Sequence, residues 1–205
     1  MEKKTAKAAR EAGALMRELG VTAPLRILDA GCGCGAHAIF LALEGHEVVG
    51  VDLCEGFLSA AWEEAGKRGV EVKFMKGDIR EMEYGGTFDL ILLMGTLVSL
   101  FDDEGKQKAM AGLAASLRSH GLMAATLIES EATSKNIPVK GMPGKGIGAP
   151  SGKTMEGKPQ GLSDLLRLME GHGLVPIKTV RDWKGAPSKD GAARTLIIAR
   201  KEQEL

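Results

Sequence analysis

The segment that most constrains the fold of this chain is Ile27-Leu28-Asp29-Ala30-Gly31-Cys32-Gly33-Cys34-Gly35-Ala36. A short apolar run meets glycines at alternate positions and then passes into a helical pattern, which describes a strand, a tight loop and a helix. The glycines let the backbone turn sharply and approach a ligand closely. Seventeen residues beyond Gly35, a second strand-like run ends at Asp52. An acid at that point is placed to accept hydrogen bonds from both hydroxyls of a ribose. Strand, glycine loop, helix and acid together predict the nucleotide-binding half of a doubly wound sheet.

Charge narrows the nucleotide. Gly31-x-Gly33-x-x-Ala36 also satisfies the dinucleotide fingerprint, so an NAD-dependent oxidoreductase is a competing expectation. Asp29 separates the two. Its carboxylate would repel a pyrophosphate in a partly dry site, but it attracts S-adenosylmethionine (SAM), which has no phosphate and carries an ammonium and a sulfonium. A second acid, Asp78 in Lys76-Gly77-Asp78-Ile79, follows the third strand-like run. There it can accept from an adenine amino group while Ile79 packs on the ring.

The rest of the chain extends this plan. Residues 2–20 carry a stripe of Ala8, Ala12, Leu15, Met16 and Leu19 and predict a helix ended by Gly20. Strands are expected over 25–28, 47–51, 70–74, 88–94 and 122–128, with helices over 36–43, 57–65 and about 103–118 between them. Phe57, Leu58, Ala61, Trp62 and Ala65 form the expected buried face of the second helix. Ala109, Met110, Leu113, Ala114 and Leu117 form that of the third, which Gly121 should close. Strands alternating with helices imply crossover connections and a parallel sheet. Residues 163–169 predict a last helix with Ser163 as N-cap. Two final strands, 174–180 and 195–199, have no helix between them and should pair antiparallel, with Pro176 marking a sheet edge.

Asp29-x-Gly31-x-Gly33-x-Gly35, Val51-Asp52, Gly77-Asp78-Ile79 and Phe88-Asp89-Leu90-Ile91-Leu92 resemble the successive motifs of class I SAM-dependent methyltransferases, in the small-molecule branch. The resemblance covers about 25–128 and 161–201. It implies an α/β fold: a doubly wound, Rossmann-like sheet of seven strands, mostly parallel with an antiparallel C-terminal hairpin. It also implies that Asp29 lies near the methionine end of SAM, with Gly31, Cys32, Gly33 and Gly35 lining it. Asp52 would hold the ribose, Leu53 pack on adenine, and Asp78 and Ile79 contact the base edge. Met94, Gly95 and Thr96 would sit near the transferable methyl. The implied reaction is in-line methyl transfer to a small-molecule acceptor, releasing S-adenosylhomocysteine (SAH). Cys34 and Cys54 stand where the family has small Thr or Ser residues. A metal or arsenic site at Cys32, Cys34 and Cys54 is the alternative, but no His completes one, so no metal is expected.

Groups that could act on the acceptor are few. His37, in the first turn after the glycine loop, is placed to hydrogen-bond the SAM carboxylate or the acceptor. Glu129, just after the fifth strand, is a candidate general base or an anchor for a cationic acceptor. Tyr84 is the single tyrosine and a candidate acceptor contact; Asp182 and Trp183 are candidate pocket wall. Each has a plainer alternative as an ordinary helix, loop or core residue. Asp102 or Asp103 reads as the N-cap of the following helix.

Composition bounds the remainder. Glycine makes up 28 of 205 residues, about twice the ~7% usual in globular proteins. Three of these glycines belong to the loop at 31–35, and seven lie between 141 and 161. Residues 135–161 also hold four prolines and five lysines against one acid. That segment reads either as a lid over an anionic acceptor or as a flexible insertion. One domain over 1–205 is expected: an N-terminal helix at 1–24, a cofactor core at 25–128, the loop at 129–161, and a helix and hairpin at 162–205. Zero net charge, with two Trp, one Tyr and five Phe, argues against nucleic acid as partner. No run approaches ~20 apolar residues, so no membrane span is expected. Three clustered cysteines and no apolar leader favour the cytoplasm. An RNA or protein methyltransferase and a non-catalytic SAM-binding protein stay open, as does the oligomeric state.

Overall fold

The computed structural model describes residues 2–82, 84–95, 101–129, 161–181, 183 and 193–203. In chain order the elements are α1 (Glu2–Leu19), β1 (Arg26–Ala30), α2 (Ala36–Leu43), β2 (Glu47–Asp52), α3 (Glu55–Lys67) and β3 (Lys73–Lys76). They continue with β4 (Phe88–Leu93), α4 (Asp103–Ser116), β5 (Leu117–Glu129), α5 (Leu162–Glu170), β6 (Leu174–Val180) and β7 (Ala193–Lys201). The strands form one seven-stranded sheet in the order β3-β2-β1-β4-β5-β7-β6. The first five are parallel, and β7 runs antiparallel between β5 and β6. The order reverses between β1 and β4, so the crevice at the carboxyl ends of those strands is where a ligand of a doubly wound sheet sits. β6 is the edge strand, as Pro176 predicts.

The central strands are apolar at both parities because both faces are covered. Leu90 and Leu92 of β4 pack with Leu15 of α1, Ile39 and Leu41 of α2 and Leu58 of α3. Ile91 and Leu93 face the other way, into a core with Met110 and Leu113 of α4 and Leu165 and Met169 of α5. No helix among the described residues is long and apolar enough to cross a membrane.

Four local expectations are corrected. The third strand begins at Lys73 rather than at residue 70, because the Val70 N–H is spent on Ala65 O, closing the end of α3. On α3 only Leu58, Ala61 and Ala65 are buried; Trp62, one residue beyond the stripe, is 52% exposed. Helix α4 ends at Ser116, whose hydroxyl donates to Gly112 O at 2.7 Å, and the chain passes directly into β5. Gly121 therefore ends no helix. The ladder pairs Phe88 with Leu117 and then Leu90 with Leu122, so 118–121 bulge outward, and a Cβ on Gly121 would lie 2.9 Å from Arg118 O. Helix α5 starts one residue early, with Gly161 as N-cap and no side-chain cap bond. Leu162 packs on the core, and Ser163 sits in the first turn. Asp102 does cap α4, accepting from Gly105 N at 2.8 Å.

Candidate functional site

Strand β1 delivers the chain into the glycine loop, which is fastened to the neighbouring strand. Gly31 N and Cys32 N both donate to Val51 O, at 2.8 and 2.9 Å. Gly33 and Gly35 both adopt left-handed backbone, for different reasons. A Cβ on Gly35 would meet Phe74 Cζ at 2.6 Å and Ala61 Cβ at 2.9 Å, so its glycine lets the loop press onto β3 and α3. A Cβ on Gly33 would meet nothing within 4 Å. That side of the loop is open.

The acid after β2 organises the loop from the other side. Asp52 Oδ2 accepts from Gly33 N and Oδ1 from Cys54 N, each at 2.8 Å. Each oxygen keeps a further lone pair. Leu53, next in the chain, is 40% exposed, an apolar surface beside Asp52. Gly77 N donates to Asp52 O, joining the ends of β2 and β3. Asp78 lies just beyond and is held by Arg80, whose guanidinium pairs with the carboxylate and whose backbone N–H donates to it at 3.0 Å. Its hydrogen bonds from the Arg80 side chain keep the Asp78 carboxyl below the usual carboxylate range. Ile79 turns into the core under α4 and is buried.

Asp29 is 2% exposed, and its Oδ2 has no hydrogen-bond partner among the described residues. Burial pushes its pKa up, partly offset by the charge of His37 and by a hydrogen bond from the Ala38 N–H in the first turn of α2. His37 is engaged by the N-terminal helix. Its Nε2 lies 3.0 Å from Glu11 Oε2 on α1. Burial alone would lower the His37 pKa, but the Glu11 hydrogen bond and the charges of Asp29 and Glu11 outweigh it and raise it. Glu11 is itself buried and also accepts from Arg194 Nη1 of β7 at 2.9 Å. Glu11 and Arg194 went unnoticed in the sequence. The available signal was Glu11's place, three residues after Ala8 and four before Leu15, on the buried stripe of α1.

Met94 and Gly95 follow β4, and Gly95 N donates to the buried Thr126 Oγ1 on β5 at 2.7 Å. Tyr84 is drawn elsewhere: its backbone N–H is 3.3 Å from Ser116 Oγ at the end of α4, and its ring packs edge-on against Phe88 at 5.5 Å. Those partners lie at the end of the sheet opposite the glycine loop. Trp183 is buried in the core, and its backbone N–H donates to Arg194 O. Glu129 closes β5 opposite Ala193; its side chain, Thr96, Asp182 and the whole of 130–160 lie outside the described residues. Cys32 and Cys54 are buried and Cys34 is exposed. Among the described residues no group of three His, Cys, Asp or Glu side chains could hold a metal ion.

Known proteins resemble this chain in sequence and in fold. A family model described as a methyltransferase domain matches residues 27–121. The chain is 32% identical over 170 residues to the ubiquinone biosynthesis O-methyltransferase of Ruegeria sp. (strain TM1040), covering 81% of this chain and 68% of that one. It is 29% identical over 120 residues to the glycine/sarcosine N-methyltransferase of Halorhodospira halochloris, covering 57% and 45%. Several other curated relatives are likewise matched over less than half of their length. The fold superposes on the crystal structure of the Burkholderia thailandensis 1,6-didemethyltoxoflavin-N1-methyltransferase with bound 1,6-didemethyltoxoflavin and SAH. The TM-score is 0.71 at 21% identity, over 98% of this chain and 80% of that one.

Proposed function

The chain belongs to the class I SAM-dependent methyltransferase family, and from that premise we propose that it methylates a small-molecule acceptor and releases SAH. The observation that carries the reading is Asp29: a buried carboxylate oxygen with no hydrogen-bond partner among the described residues, beside an open glycine loop. A cationic ligand satisfies such a group, whereas a pyrophosphate would add like charge to it. SAM, when bound, supplies a methyl group activated for in-line displacement by the positive sulfur. The chain supplies position. Gly31, Cys32, Gly33 and Gly35 line the cofactor, Asp52 accepts from the ribose with its remaining lone pairs, and Leu53 offers a face to adenine. Asp78 meets the base edge, braced by Arg80, while Ile79 supports that wall from the core. Met94 and Gly95, tethered by Thr126, border the place where the methyl is presented.

Alignment of an acceptor with an activated methyl can supply roughly 7–11 kcal/mol in favourable models. No general base is required in principle, and His37 and Tyr84, both engaged with protein partners, are poorly placed to act as one. Glu129 remains our candidate base or acceptor anchor. The Ruegeria and Halorhodospira relatives are named for oxygen and nitrogen acceptors respectively, which supports a small molecule with one of those atoms. The lysine excess of 135–161 favours an anionic one. We read 1–205 as one domain, since β1 and β7 share a sheet, and place it in the cytoplasm on the strength of three cysteines outside any disulfide. Calorimetric titration with SAH and with NADH tests the cofactor: binding of NADH and indifference to SAH would overturn the reading. Incubation with metabolite pools and SAM, scored for mass gains of one methyl group, then identifies the acceptor.

A further inference from the structure

A charged cluster joins three distant parts of the chain beneath the glycine loop. Glu11 of α1 reaches His37 of α2, 26 residues on, and Arg194 of β7, 183 residues on. Lys7 stands 3.8 Å from the same carboxylate. His37 also feels the charge of Asp29 on β1. As stabilising structure this is a poor choice, because desolvating such a cluster costs about as much as its pairing returns, and apolar side chains would hold the helix as well. Helix α1 already buries Ala8, Ala12 and Leu15. The cluster is not closed either: among the described residues, Asp29 Oδ2 and Arg194 Nε are buried without a hydrogen-bond partner. Its charges are therefore not consumed by one another, and a charged ligand at the loop completes it.

We propose that Glu11 is a positioning residue of the cofactor site: it fixes His37, the residue next to the Ala38 N–H that donates to Asp29, and, through Arg194, ties α1 to β7, so that docking of α1 and binding of the cofactor form one linked equilibrium. This deepens the SAM reading and rests on it. Linkage is reciprocal: if α1 docking strengthens cofactor binding, the cofactor must strengthen α1 docking by the same factor. A helix that merely packs on the fold would show neither effect.

The test uses the full chain with SAH as ligand, comparing wild type with Glu11→Gln and with His37→Gln, the second of which keeps an N–H donor toward Glu11 and removes the ring's charge. Calorimetry gives the SAH affinity, hydrogen exchange gives the protection of α1 amides with and without SAH, and a thermal melt gives stability. In the wild type, SAH slows exchange in α1. In both variants SAH affinity falls about tenfold, within the range typical of coupled sites, and SAH no longer slows exchange in α1. Should Glu11→Gln fail to fold, His37→Gln decides. Wild-type SAH affinity in a folded variant, even one with a lowered melting temperature, would overturn the inference and leave Glu11 structural; so would α1 exchange that SAH leaves unchanged in the wild type. A wild type that takes up no SAH would bring down the SAM reading itself.

Discussion

Alanine at Gly35 should cost the fold far more than alanine at Gly33, although the two stand in one loop and both have left-handed backbone, at φ +73 and +55. At Gly35 the new Cβ would lie 2.6 Å from Phe74 Cζ and 2.9 Å from Ala61 Cβ. Neither neighbour can yield freely, since Phe74 is 6% exposed and Ala61 fully buried. Left-handed backbone costs a non-glycine residue roughly 1–2 kcal/mol, and overpacking adds roughly 1–3 kcal/mol. The sum of about 2–5 kcal/mol, at roughly 2–4 °C per kcal/mol for a chain of this size, lowers the melting temperature on the order of 10 °C. At Gly33 only the conformational cost applies, so the melt falls by a few degrees. Ligand binding reverses the ranking. A methyl group at Gly33 projects into the open side of the loop and should weaken SAH binding about tenfold, equivalent to about 1.4 kcal/mol. Calorimetry in both modes, thermal unfolding and SAH titration, reads the two effects separately. The steric account of Gly35 gains a further check from Phe74→Leu, which should make Gly35→Ala less costly than it is in the wild type. Equal losses of stability at the two glycines, or undiminished SAH binding by Gly33→Ala, would refute the division of labour within the loop.

Three further outcomes follow from the same geometry. Asp29→Asn keeps the acceptor for the Ala38 N–H but removes a buried charge, so the melting temperature at pH 7 should hold or rise while SAH affinity falls about tenfold; a lower melt with intact SAH binding would contradict it. His37 has its pKa raised in the fold above its ordinary 6.5, Glu11 and Asp29 outweighing burial, so the native state binds its proton more tightly than the unfolded chain. That stabilisation is complete below the unfolded value and is lost as pH rises through the folded one. Urea midpoints between about pH 6 and 9 should therefore fall less steeply with pH in His37→Gln than in wild type. Asp102→Ala removes the cap of α4 and should cost about 1 kcal/mol in urea unfolding, with SAH titration unchanged.

The sheet was legible because its signals are local and repeated. Most of the parallel strands are short apolar runs bounded by turn residues, and the crossovers from β1 to β2, β2 to β3 and β4 to β5 carry a helical period. Pro176 cannot donate to a ladder from a central strand, so it marked β6 as the edge correctly. The errors fall where one element passes into another without a breaker. Between α4 and β5 no glycine or proline stands at the boundary, and the helix stops instead where Ser116 bonds back to Gly112. Gly121, which looks like a helix stop, is needed five residues inside the strand region, where its missing Cβ lets the 118–121 bulge pass close to Phe88. At the start of β3 the apolar Val70 looks like a strand residue, but its N–H is already committed to the end of α3.

The site divides along the same line. Asp29, Gly33, Gly35 and Asp52 lie within about two dozen residues, at spacings dictated by one strand-loop-helix-strand unit, so their placement together follows from order along the chain. Arg80, which braces Asp78 from two residues away, was also within reach of a local reading, yet a basic residue in a loop has too many ordinary uses to be singled out. Glu11 and Arg194 are different in kind. Their pairing depends on the sheet order, which places β7 between β5 and β6, and on α1 packing along α2; no pattern shorter than the whole fold specifies it. What the sequence does contain is an inconsistency: an acid on the stripe of α1 that Ala8, Ala12 and Leu15 bury. A buried charge is tolerated only where partners meet it. An acid out of place on an otherwise apolar stripe therefore calls for a cationic partner from elsewhere in the fold, and here His37 and Arg194 supply it.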